Sequence, residues 1–220
     1  MENLIESVEY KGYSINIYPD DTPEDPRSWD NLGTMVCFHR SYELGDKHDL
    51  STRQFNSWNE VETYLIQEED AYIILPLYLY DHSGLRIKIG SFQGLLPQGH
   101  AEFDSGMIGF IYVTAEKIRE EYGVKHISKN LKKRVAEYLQ NEIYTYDSYL
   151  SGSVYGFSVT DSKGNDIDSC WGYYDTEYMI HEAKDIIDRR VSSERKKHYD
   201  RLKNQIKNRV PFQYRSPLDV

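Results

Sequence analysis

Cysteine is scarce in this 220-residue chain, where Cys37 and Cys170 are the only two. They are too few for a disulfide framework and lack the paired spacing of a zinc knuckle, so two free thiols in a reducing compartment are expected, with a single bridge between them as the alternative. Long apolar runs are missing as well. No stretch approaches the roughly eighteen residues that a membrane span needs, and the opening MENLIESVEY is acidic where a secretory leader is basic. The expected location is the cytoplasm, with no membrane partner. Neither GxGxxG nor GxxxxGK occurs, which removes the usual phosphate cradles, and no Gly-x-Ser-x-Gly elbow surrounds a serine. No cofactor is expected.

What the chain does have is acid and tyrosine. It carries 36 acidic against 26 basic residues, with 39% apolar residues, the composition of a globular protein with a sizeable core. The charge is unevenly placed. Residues 1–110 hold 19 acids and 7 bases, residues 111–188 hold 14 and 9, and residues 189–220 hold 3 and 10. This reads as one acidic domain over 1–188 followed by a basic helical extension over 189–220. The body repels nucleic acid, whereas the extension attracts phosphates or an acidic surface. Twenty tyrosines alternate with apolar residues, so most should pack with their hydroxyls at the surface, where tyrosine serves protein interfaces.

Periodicity predicts an α+β fold, a mostly antiparallel sheet with packed helices and a long C-terminal helix. The alternation from Val8 puts Tyr13, Ile15 and Ile17 on one face of a single strand, and TMVCFHRSY follows as another. Helical spacing then sets Trp58, Val61, Tyr64 and Leu65 on one side, with Ser57 as the cap. AYIILPLYLY reads as a buried strand in which Pro76 demands an edge or a bulge. LRIKIGSF and MIGFIYV are further strands, with DHSG as a hairpin turn between the first two. Helices are expected over TAEKIREEY, ended by Gly123, and from Ser128 to about Tyr149 on Leu131, Val135, Tyr138, Leu139 and Ile143. A hairpin turning at 163–165 precedes a last helix from Thr176 toward Val210. That helix buries Met179, Ile180, Ala183 and Ile187, then keeps only Tyr199, Leu202, Ile206 and Val210 on a narrow stripe. A projecting segment that docks on a partner, or on a second copy to form a homo-oligomer, has this pattern.

The blocks DPRSWDNLGTMVCFH, LPLYLYDHSG, FDSGMIGFIYVT, YDSYLSGSVYGF and DSCWGYY, in that order over roughly residues 10 to 190, resemble a family of proteins common in tailed phages, prophages and plasmids. The chain departs from the family pattern in LLPQGHAEFDSG, where a Ser-Pro-Phe-Ser-Cys-Pro-Trp segment precedes Asp-Ser-Gly in the family, and in the basic tail after Arg189. The resemblance transfers no activity. It implies a mobile-element setting, and hence host takeover or evasion of host defence.

Candidate chemistry centres on Asp81, His82, His100 and Asp104, with His39 beside them. These are nitrogen and oxygen ligands that would form a metal-dependent hydrolase or nuclease site if they converged. Ser83 next to His82 does not make a nucleophile and base by adjacency, because neighbours on an extended strand point to opposite faces. A turn is the simpler reading of DHSG. DSCWG has the Ser-Cys-Trp order of papain-like proteases, but only His181 and His198 follow it, so Cys170 is expected to be a buried strand thiol beside a core Trp171. The leading expectation is a non-enzymatic effector whose acidic, tyrosine-rich surface inhibits or redirects a host protein, for instance a nucleic-acid-handling defence or transcription component. The alternatives are the metal-dependent hydrolase and a nucleic-acid accessory protein that binds through Arg195, Lys196, Lys197, Arg201, Lys203, Lys207 and Arg209.

Overall fold

A computed structural model describes residues 3–95, 103–209 and 211–214. These form eight strands and four α-helices, and every strand pair is antiparallel, so the fold is α+β. The chain divides into two compact units, residues 1–21 with 154–220, and residues 22–153. The boundary that charge suggested at 188/189 falls inside one continuous helix.

In the first unit β1 (Glu6–Tyr10), β2 (Tyr13–Pro19), β7 (Tyr155–Asp161) and β8 (Asp166–Tyr173) lie side by side in that order. The single strand expected from Val8 is a hairpin. Lys11 and Gly12 both take positive φ, 51° and 80°, which is what a two-residue turn between right-twisted strands requires. Tyr13, Ile15 and Ile17 share a face as expected, with the two isoleucines buried and Tyr13 partly so. The helix α4 (Thr176–Lys207) begins at Asp175, whose side chain accepts from the backbone N–H groups of Glu177 and Tyr178. Its Met179, Ala183 and Ile187 are fully buried with Ile15, Ile17, Phe157 and Val159. Each of these side chains larger than alanine contributes about 1.5–3 kcal/mol for leaving water. On the other face of the sheet the register aligns Ser7, Asn16, Ser158 and Ser169 in one polar row.

The second unit holds β3 (Thr34–Cys37), β6 (Ser105–Thr114), β4 (Ala71–Asp81) and β5 (Leu85–Ile89), again in spatial order. One face packs α1 (Trp58–Gln67) through Val61 and Leu65 onto Val36, Phe110 and Tyr112. The other packs α2 (Ala115–Tyr122) and α3 (Lys129–Leu150) through Ile118, Val135, Leu139 and Ile143 onto Met35, Leu77, Leu79 and Ile111. Ser57 caps α1 as expected, Thr114 and Ser128, expected as helix starts, are the caps of α2 and α3, and Gly123 closes α2 at φ 60°. Tyr138, expected on the inner stripe of α3, is instead 48% exposed.

Pro76 lies within β4, an interior strand, near a shift of register between Leu77 and Tyr78. Its carbonyl accepts from Gly90, just beyond the end of β5. In an antiparallel ladder one residue's N–H and C=O point to the same neighbour, so the missing N–H of Pro76 falls on the side where β5 runs out. Gly109 marks the tightest approach in the sheet: a Cβ there would land on the Val36 carbonyl.

A buried ionic triad ties the loop before β3 to α3. Arg27, whose side chain is 4% exposed, donates twice to Asp46 at 2.7 and 2.9 Å and once to Glu142 at 3.1 Å. Both carboxylates also accept backbone N–H groups, Asp46 from Met35 and Glu142 from Leu32 and Gly33. Burial works against the Arg27 charge, but the bonds to Asp46 and Glu142 more than offset it and raise its pKa. The breadth of this bonding is what makes so buried a charge tolerable. Among the described residues no helix is long and apolar enough to cross a membrane.

Candidate functional site

Because β3 and β4 are each antiparallel to β6, they run in the same direction on its two sides. The C-terminal ends of β3 and β4 therefore meet the N-terminal end of β6. His39 and Arg40 leave β3 there, Asp81 and His82 leave β4, and Asp104 enters β6. The Asp81 N–H donates to the Asp104 carbonyl at 2.9 Å and fixes this meeting point.

Three of the four residues singled out by sequence are thus neighbours. His82 Nδ1 lies 3.1 Å from Asp104 Oδ2, with both side chains in contact with water. His82 also stacks on Tyr80, with ring centroids 6.1 Å apart. Asp81 accepts from the Tyr42 hydroxyl, and its charge is the main cause of the raised Tyr42 pKa. His100 lies outside the described residues. His39 has a local task. Its Nδ1 accepts from the N–H groups of Ser41 and Tyr42 at 3.2 and 3.3 Å, so the proton of the neutral ring sits on Nε2, and the ring stacks on Tyr42 at 4.9 Å. Among the described residues no three His, Cys, Asp or Glu side chains are grouped to hold a metal ion. Ser83 sits in a three-residue turn closed by the pairing of Asp81 with Leu85, and Gly84 completes the turn at φ 154°.

Sequence reasoning missed the aromatic side of this site. Phe38 follows β3 and lines three adjoining recesses of about 570, 240 and 530 Å³. Its ring meets His48, Phe55 and Trp58 at centroid distances of 5.1, 6.3 and 6.0 Å, and Trp58 meets Phe110 edge-on at 6.3 Å. Phe38, Phe55 and Trp58 are only partly buried, and Phe103 is 86% exposed. Phe38, Trp58 and Phe103 line the 530 Å³ recess together with Asp81 and Asp104. Asp25, Glu43 and Asp46 border the neighbouring recess. Among the described lining residues Lys47 and Arg40 supply the positive charge, and the carboxylates of Asp25, Glu43, Asp81 and Asp104 stand beside the rings. The signal was the sequence Phe38–His39 immediately after a short strand, but nothing local joins it to Phe55 and Trp58.

The thiols differ from expectation at one position. Cys37 is buried, and burial pushes its pKa up to about 12. Cys170 is exposed rather than buried, and Trp171 is 43% exposed. The pairing of β7 with β8 shifts register between Tyr155 and Phe157 and again between Val159 and Thr160, so simple alternation does not carry along β8. The Trp171 indole lies on the polar face of the sheet, over Gly156 and 6.1 Å from Tyr18. Tyr173 donates to Glu182 at 2.9 Å, and burial, then Cys170 and Glu182, raise its pKa.

Arg195, Lys196, Lys197, Arg201, Lys203 and Lys207 are exposed on α4, and Arg209 is exposed just past its end. The helix is half-buried there along Val191, His198, Leu202 and Gln205, while Tyr199 and Ile206 stay 67% and 56% exposed. No family model matches the chain, and no curated protein and no solved structure matches it.

Proposed function

We propose that the chain is a non-enzymatic effector of a mobile element and that the β3/β4/β6 end of its second unit takes a basic segment of a host protein. The observation that carries this reading is the pairing of part-exposed rings, Phe38, Phe55, Trp58 and Phe103, with the carboxylates Asp81 and Asp104 around one set of recesses. Rings give the apolar anchor points from which most interface energy comes. A carboxylate rim selects a cationic partner and speeds the encounter. Proteins that handle nucleic acid present such cationic surfaces, which suits a defence or transcription component as the target. The mobile-element setting rests on the sequence blocks alone.

The test is affinity capture from host lysate with the intact chain and with Trp58→Ala combined with Asp81→Asn and Asp104→Asn. A protein held by the first, released by added salt and lost from the second is expected. Equal capture by both would remove the site from the function. A second reading, hydrolysis, has the His82–Asp104 pair in its favour, since a carboxylate at 3.1 Å orients an imidazole for proton transfer. Hydrolysis of a nucleic acid or ester by the purified chain, lost on His82→Ala, would put that reading first.

A further inference from the structure

Seven of the eight lysines and arginines in α4 from Arg189 onward fall on one side of the helix, with Arg195 on the other. At 3.6 residues per turn, Arg189, Lys196, Lys203 and Lys207 fall in one line, and Arg190, Lys197 and Arg201 form a second line beside it. All seven are exposed. The residues half-buried in this part of the helix, Val191, His198, Leu202 and Gln205, lie on the opposite side, where the His198 Nε2 is fully shielded. The helix therefore has an inner side already in use and an outer side that is predominantly cationic, with Asp200 as the acid within it. Arg190 is paired with Glu194 at 2.9 Å, but Lys196, Lys197, Arg201, Lys203 and Lys207 have no carboxylate partner among the described residues.

We infer that this face binds the phosphate backbone of duplex nucleic acid. From Arg189 to Lys207 it extends about 27 Å at 1.5 Å per residue, close to the length over which a duplex groove presents phosphates on both walls. A helix of ordinary diameter fits the major groove. The cationic arc contains no aromatic ring, so it offers charge without a platform for unpaired bases, which favours a duplex over a single strand. A lipid surface is the poorer partner, because membrane-bound helices insert a broad apolar face, and here Val191 and Leu202 are half-buried, leaving Tyr199 and Ile206 as the exposed apolar residues described on that side. The acidic remainder of the chain, with 33 acids and 16 bases over residues 1–188, repels the same duplex and confines contact to the helix. Such binding is independent of the proposed protein-binding recess and reads phosphates rather than sequence.

The experiment measures binding of the full chain to a labelled 20-base-pair DNA duplex from about 50 to 200 mM salt, the range in which counterion release dominates. The expected slope of log K against log salt is about −4 to −6, from about 0.9 per neutralised phosphate. The combined Lys196→Gln, Lys203→Gln and Lys207→Gln variant should lower the slope by about 3 on the same scale. The Lys-to-Arg version of these changes should retain it, and Lys125→Gln, a charge change off this helix, should leave it alone. Absence of binding at the lowest salt overturns the proposal, as does a slope that the triple Gln variant leaves unchanged. So would tighter binding to a single strand, or equal binding to phosphatidylserine vesicles.

Discussion

The indole of Trp171 lies directly over Gly156 across the β7–β8 pair, so close that a Cβ on residue 156 would overlap its ring atoms. Gly156 is buried by that contact although it is on the polar face of its sheet. Gly156→Ala should therefore cost stability by displacing Trp171 from Tyr18, by about 1–3 kcal/mol as for other overpacked sites. A chemical denaturation series in two backgrounds checks the cause. With Trp171→Ala already in place the same glycine change should cost far less, and an equal cost in both backgrounds would place the strain elsewhere.

Much of the fold was legible because its signals are local. Thr114, Ser128 and Ser57 accept the first free N–H groups of their helices, and Gly123 supplies the left-handed residue that ends α2. Such caps need only neighbours in sequence. The failures arise where tertiary pairing decides. Alternation along β8 is broken by two register shifts, which turned Cys170 outward. The Lys11–Gly12 hairpin was overlooked although the apolar positions change parity across it, from Val8 and Tyr10 to Tyr13, Ile15 and Ile17, as a two-residue turn requires. At the candidate site, Asp81, His82 and Asp104 were found from their chemistry, but Phe38, Phe55 and Trp58 come from three elements and meet only in the folded unit.

The DHSG stretch makes a turn, and its residues should respond accordingly. Gly84 has φ 154° with open space around its missing Cβ, so the obstacle to a side chain there is the backbone angle and not crowding. Gly84→Val should lower the melting temperature, while His82→Ala, half-exposed beside Asp104, should leave it nearly unchanged. A calorimetric scan of both variants separates the two. A large loss of stability from His82→Ala would mean that its pair with Asp104 holds the β4–β6 end together.

A buried thiol and a buried tyrosine set an alkaline limit. In the native chain Cys170 should react at once with a thiol reagent and Cys37 only on unfolding, since one is exposed and the other buried. Burial raises the Cys37 pKa from 9.0 to about 12 and, as its largest cause, that of Tyr146 from 10.0 to about 12. Both groups are neutral when protonated, so above the unfolded values the unfolded chain releases protons that the native chain retains. Unfolding is then favoured as pH rises, and stability should fall progressively from about pH 9 toward pH 12. Denaturation midpoints across that range provide the measurement, with Cys37→Ala expected to flatten the part of the decline that begins nearest pH 9. If the midpoints of the native chain stay constant to pH 11, Cys37 and Tyr146 are not held in their protonated forms by burial.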